Sequence, residues 1–136
     1  MSKLTKSRED YLRVLYKKIN NKNIVKSNEL AQELNISRSS VSRMMKILKK
    51  DGYIQMENYG PIRLTEKGKN YAKKIDYKHK TLYSFLNNVI GLDEKTANEE
   101  ACHIEHIVSL KTVKRIRKLI DSYLAGSNKL LFKEKY

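Results

Sequence analysis

The chain has 136 residues, with 29 Lys and Arg against 15 Asp and Glu and a formal net charge of +14. That length holds one domain or two small ones, and the excess of cations favours a polyanionic partner through steering and counterion release. A single cysteine excludes an intramolecular disulfide and agrees with a reducing cytoplasm.

Met1 to Lys6 has no apolar core of a secretory signal, and no apolar run approaches the roughly 20 residues that span a bilayer. The expectation is a cytoplasmic protein with no membrane partner. One proline and five glycines, mostly between periodic segments, predict a mainly helical chain.

Ser7-Arg8-Glu9-Asp10 has the S-x-x-D form of a capping box and predicts the start of the first helix. Leu12, Leu15, Tyr16 and Ile19 form its apolar face, and Asn20-Asn21-Lys22-Asn23 ends it. Asp10 has a structural role open to it, because the helix dipole favours a carboxylate in a first turn. Ile24-Val25-Lys26 reads as extended. Ser27 then caps a second helix from Asn28 to Leu34, with Leu30, Ala31 and Leu34 inward.

Asn35-Ile36-Ser37 makes a tight turn, and Ser37 caps a third helix from Arg38 to about Lys50, with Val41, Met45 and Leu48 buried. Two short helices joined this way form a helix-turn-helix. The exposed side of the third helix carries Arg38, Ser39, Ser40, Ser42, Arg43 and Lys46. Small hydroxyl side chains let a helix sit deep in a major groove, and arginines beside them take guanine or phosphate. A solvated amphipathic helix also looks polar, but serines flanked by arginines at the N-terminal end favour a reading face. Ser27 and Ser37 join this set at the helix starts.

Asp51-Gly52 ends the third helix. Tyr53 to Met56 and Ile62 to Leu64 read as two strands around a turn at Glu57 to Pro61, with Arg63 placed to meet phosphates. Three helices followed by this hairpin predict a winged helix-turn-helix.

Thr65 caps a long fourth helix, about Glu66 to Val89, on which Ile75, His79, Leu82, Leu86 and Val89 share a stripe. A histidine there is more often a satisfied core residue than a ligand. Asp93 caps a fifth helix through about Ser109, with Ala97, Ala101, Ile104 and Val108 inward. Lys111 to Leu124 is a sixth, burying Val113, Ile116, Ile120 and Leu124, and Lys129 to Tyr136 is a basic tail. The predicted fold class is therefore mainly α, with a winged helix-turn-helix DNA-binding domain over 1–74 and a second, helical domain over 75–136.

Cys102, Glu105 and His106 stand at i, i+3 and i+4, so on a helix their thiol, carboxylate and imidazole point to one side. Those donors together suit a divalent transition metal, but three on one helix do not close a site.

The chain resembles the diphtheria-toxin-repressor family of metal-dependent regulators, including its short manganese-sensing branch without an SH3-like domain. The resemblance lies in Tyr11-Leu12-Arg13, the segment Ser37 to Arg43, His79, Ile90-Gly91-Leu92-Asp93 and above all Glu100-Ala101-Cys102-x-x-Glu105-His106. It implies a homodimeric, non-enzymatic repressor that binds palindromic double-stranded operators when charged with Fe(II) or Mn(II). The resemblance also implies that 75–136 is a metal-binding and dimerisation domain, and Co(II), Ni(II) or Zn(II) is expected as an alternative occupant of its metal site in vitro.

Its regulatory metal site falls on Asp10, Cys102, Glu105 and His106. Aspartate at the first position is the manganese-type choice, whereas Cys102 and Arg13 match the iron type, so the site is a hybrid. His79 is kept from a second family site, whose other positions here hold Tyr83 and Asn98. Two other readings fit the residues less well: a winged-helix regulator with Cys102 as a redox thiol, and a metalloenzyme, for which no substrate pocket is marked.

Overall fold

The computed structural model describes residues 4–22, 25–58 and 60–127 and divides into two compact units, Met1–Lys73 and Lys74–Tyr136. Ile24 of the expected extended entry and the expected tail from Lys129 lie outside the described residues.

In the first unit, α1 (Lys6–Lys22), α2 (Ser27–Leu34) and α3 (Arg38–Lys50) precede the antiparallel hairpin of β1 (Ile54–Met56) and β2 (Ile62–Leu64). The start of α1 differs from the expected capping box. Ser7 lies inside the helix, and the Arg8 amide donates to Thr5 Oγ1 at 3.3 Å instead. Starting at Lys6 follows from Leu4, which is buried in the core and draws the chain in two residues earlier.

Ser27 is likewise a first helical residue, not a cap. The N-cap of α2 is Lys26, which makes no side-chain capping bond. The extended segment stays paired up to Val25, whose carbonyl accepts from the Ile62 amide at 2.8 Å, so only one residue separates that bridge from the helix.

Asn35 closes α2 in the left-handed conformation at φ 53°, a region that asparagine tolerates. Ser37 caps α3 as expected, accepting from the Ser40 amide at 3.2 Å. The spacing that predicted the buried side of α3 holds: Val41, Met45 and Leu48 are fully buried against Leu12, Leu15, Leu30 and Ile62.

The helix α4 (Glu66–Ser84) begins in the first unit and is fastened to the end of α3. Thr65 Oγ1 accepts from the Gly68 amide at 3.1 Å and its hydroxyl donates to the Gly52 carbonyl at 2.6 Å. Lys67 donates to the Asp51 carbonyl at 2.8 Å while its ammonium lies 4.4 Å from the centre of the Tyr53 ring. Gly68 permits this approach, since a Cβ there would collide with the Tyr53 carbonyl.

In the second unit, α4 ends in a π-helical turn at Phe85–Val89, and α5 (Glu94–Ile104) and α6 (Leu110–Ser122) follow. Leu82, Ala101 and Val113 centre a small core, with Leu86, Ile104, Val108 and Ile116 partly buried around it. Asp93 caps α5 as expected.

Two boundaries are corrected. The helix α5 stops at Ile104, and Glu105 to Ile107 form a turn before Ser109 caps α6. A hydroxyl with the geometry to accept from the Thr112 amide makes Ser109 a start instead of an end. Leu124 falls in a second π-helical turn ahead of Gly126 at φ 96° and is 56% exposed, not inward.

Candidate metal centre and nucleic-acid interface

In the first unit, Arg38, Ser39, Arg43 and Lys46 are exposed on α3 and Arg63 is exposed on β2, while Ser40, Ser42 and Ser27 are half-buried. The serines are not equivalent. Ser37 Oγ donates to Ser40 Oγ at 2.9 Å besides capping the helix, so these two hydroxyls are engaged in holding the turn.

Lys26, Ser27, Arg38, Ser39, Ser42 and Met56 are among the residues lining a cleft of about 530 Å³ between the starts of α2 and α3 and the hairpin. Lys26 and Arg38 place two cationic side chains on this cleft, at the starts of α2 and α3. Sequence reasoning missed Lys26 and Asn28, which also line it. The short gap between the Val25 bridge and α2 brings them there, and no sequence pattern marks it.

In the second unit, α4 supplies His79, α5 supplies Cys102, and the turn after α5 supplies Glu105 and His106. Glu105 keeps helical dihedrals and its amide bonds the Ala101 carbonyl at 3.0 Å, so it still shares a side with Cys102 although the helix has ended. Glu105 is fully buried, and His79 and His106 are each 7% exposed.

The carboxylate lies between the two imidazoles. Oε2 is 2.7 Å from His79 Nδ1 and Oε1 is 3.4 Å from His106 Nε2. Cys102 Sγ is 3.8 Å from the same His79 Nδ1. Among the described residues of this unit, His79, Cys102 and Glu105 offer nitrogen, sulfur and oxygen atoms within 4.8 Å of one another.

This donor set fits a divalent ion. Tetrahedral ligands at about 2.1 and 2.3 Å stand about 3.6 Å apart, close to the 3.8 Å between Nδ1 and Sγ. The closer Nδ1–Oε2 pair would have to open slightly. His79, expected as a core residue or a contributor to a weaker second site, lies beside Cys102 and Glu105 within this unit. Asp10 is half-buried and belongs to the first unit; because α1 starts at Lys6, Glu9 and not Asp10 is the acidic residue of its first turn, so the expected first-turn dipole role of Asp10 is not the one it holds.

Residues 3–62 match the family model described as the N-terminal DNA-binding domain of the iron-dependent repressors, and residues 65–123 match its metal-binding and dimerisation domain. The chain belongs to the iron-dependent repressor family. Members of this family are metal-dependent transcriptional repressors acting in metal homeostasis, and this chain is one of them.

An uncharacterized HTH-type transcriptional regulator of Methanocaldococcus jannaschii is 46% identical over 121 residues, covering 88% of this chain and 97% of that protein. The regulator MntR of Bacillus subtilis is 35% identical over 119 residues, covering 88% of this chain and 83% of its own length.

Among solved structures, IdeR of T. acidophilum superposes with a TM-score of 0.75 at 26% identity, over 89% of this chain and 56% of that one. A manganese-dependent transcriptional repressor solved with manganese superposes with a TM-score of 0.77 at 27% identity, over 84% of this chain and 52% of its own. This chain thus spans about half the length of these solved repressors. Its mainly helical winged-helix architecture agrees with theirs.

Proposed function

We propose that this repressor is switched by Fe(II) or Mn(II) bound through Asp10, Cys102, Glu105 and His106, with His79 contributing, and that the metal-charged homodimer binds a palindromic operator in the cytoplasm. The observation that carries the reading is the convergence of His79 Nδ1, Cys102 Sγ and Glu105 Oε2 within 4.8 Å. Nitrogen, thiol sulfur and carboxylate in a mostly buried setting are a ligand set. Catalysis has no comparable support, and the protein acts as a regulator, not an enzyme.

A carboxylate buried beside a thiol repels a further carboxylate. A divalent cation offsets that repulsion, so metal favours Asp10 as a ligand together with the others. Because α1 is part of the DNA-binding unit, metal then fixes how two recognition helices are spaced across a dimer. Half-sites on one face of DNA require about 34 Å or a multiple of it, so a small change of hinge decides binding. Ile107 at 80% exposure and Leu119 at 57% leave apolar surface on the second unit for a partner copy.

Arg38, Ser39, Ser42 and Arg43 read base edges, while Lys46, Arg63, Ser27, Ser37 and Ser40 hold the backbone or the helix starts that meet it. The thiolate tilts the site toward Fe(II), and the Asp10 oxygen toward Mn(II).

A complete switch from 1:99 to 99:1 requires about 5.5 kcal/mol of differential metal binding, within reach of sites that supply about 10–16 kcal/mol. Fluorescence anisotropy on the DNA upstream of the protein's own coding sequence, with Fe(II), Mn(II), Zn(II) or chelator, tests this. Metal should raise wild-type affinity at least tenfold, and Cys102→Ala and His106→Ala should abolish the rise. Equal wild-type affinity in metal and in chelator would sink the proposal.

A further inference from the structure

The second unit carries a charged surface that neither the metal centre nor the winged helix uses. Lys111, Lys114, Arg115 and Lys118 stand at i, i+3, i+4 and i+7 on α6, so the four cations share one stripe, and all four are exposed. The opposite side of the helix holds Val113 and Ile120, both fully buried. Leu119 continues the row of Thr112 and Ile116, beside the stripe and not within it.

A solvated surface helix ordinarily mixes the two signs, because like charges at these spacings repel and destabilise it. The other helices around this core do so. Lys80 pairs with Asp76 at 2.8 Å on α4, and α5 sets Lys95 among Glu94, Glu99 and Glu100. By contrast, α6 has no acidic residue before Asp121, which lies 3.9 Å from Arg117. Arg117 is turned toward α4, donating to Thr81 Oγ1 at 3.4 Å, so it stands apart from the stripe. Among the described residues, no carboxylate pairs with any of the four. The stripe keeps a repulsion that an anionic partner would relieve.

We propose that this stripe is a second surface for duplex DNA, holding phosphates without reading sequence, in addition to the winged helix. Its length of about 10 Å along α6 matches the axial span of about three phosphates on one strand. An anionic membrane fits less well. A helix lying in a lipid surface inserts its apolar face, and on α6 that face is already buried in the fold through Val113 and Ile120.

The test replaces the four cations in the full chain (Lys111→Gln, Lys114→Gln, Arg115→Gln, Lys118→Gln). A charge-matched control carries Lys69→Gln, Lys73→Gln, Lys74→Gln and Lys95→Gln, at exposed positions of α4 and α5. Fluorescence anisotropy on a random-sequence duplex, over a range of salt and in chelator, reads binding independently of the metal assignment. The stripe variant should bind about tenfold more weakly, or worse, near physiological salt. Its slope of log K on log salt should be shallower by about 2–3 units per protomer, at about 0.9 per lost phosphate contact. The control should keep the wild-type slope, because charges more than about 8–10 Å from a phosphate are screened.

Thermal melting separates lost binding from lost folding: relief of like-charge repulsion should leave Tm at the wild-type value or above it. The paired variants Lys111→Gln/Lys114→Gln and Arg115→Gln/Lys118→Gln should each give about half the change in slope. Equal losses in the stripe variant and the control would reduce the effect to net charge and overturn the proposal, as would a wild-type slope in the stripe variant. If DNA binding stayed intact while the stripe variant lost retention on anionic phospholipid vesicles, or lost a salt-sensitive self-association in sedimentation, the stripe would serve a lipid surface or a second copy instead of DNA.

Discussion

Asp93 shows how one side chain turns a boundary into a pH dependence. The Thr96 amide donates to its Oδ2 at 3.0 Å and the Thr96 hydroxyl donates to its Oδ1 at 2.7 Å. These bonds, the amide foremost, favour the charged carboxylate and hold its pKa below the ordinary aspartate value. A lowered folded pKa contributes stability that is present above about pH 4 and lost as pH falls through the lowered value. Urea unfolding at pH 6 and at pH 2.5 should therefore show a smaller acid loss for Asp93→Asn than for wild type. Equal losses in the two proteins would assign the acid sensitivity to other carboxylates. Since α5 carries Cys102, loosening its first turn should also weaken metal binding.

At the scale of elements, the joint between α3 and α4 is the most tightly specified. Thr65, Lys67 and Gly68 each bind or approach backbone at the end of α3 or at Tyr53, so three residues within a four-residue stretch set where α4 begins and how it leaves the hairpin. A methyl group at Gly68 would meet the Tyr53 carbonyl, which is backbone and has little freedom to give. Gly68→Ala should therefore destabilise the first unit by about 1–3 kcal/mol, the range for overpacking. Denaturant unfolding checks this, and an unchanged midpoint would show that the joint relaxes easily. The turn after α5 is the second decisive element. By ending the helix at Ile104 it leaves Ile107 exposed while Glu105 and His106 remain buried.

Over the whole molecule, charge is the property with a direct functional reading. α3 carries Arg38, Arg43, Lys46, Lys49 and Lys50 with no acidic residue, within a chain of net charge +14. Duplex DNA answers such a surface by releasing counterions, with a slope of log K on log salt of about −0.9 per phosphate contact. Lys46→Gln should weaken operator and random DNA alike and make the slope shallower by about one unit per protomer, whereas Arg43→Gln should chiefly reduce discrimination between operator sequences. Titrations at several salt concentrations separate the two. An identical change on operator and random DNA for both variants would remove Arg43 from base reading. No helix among the described residues is long and apolar enough to cross a membrane.

The sequence by itself determined the element order, the winged helix and the family. Those depend on local chemistry and on period: Ser37 and Asp93 carry capping oxygens wherever they stand, and Val41, Met45 and Leu48 bury one face of any helix that holds them. Helix ends were less legible where tertiary burial competed with local signals, as Leu4 did at the start of α1, where the cap moved from Ser7 to Thr5. Within the candidate metal centre, Cys102, Glu105 and His106 were visible through spacing, and His79 was weighed as a core residue. Only the tertiary structure set the His79 imidazole beside Cys102 and Glu105, with Asn98 at its other edge, because that meeting joins a side chain of α4 to side chains of α5 and the turn after it, 19 to 26 residues away along the chain. Spacing fixes neighbours within one helix, whereas contact between helices depends on how their apolar faces pack.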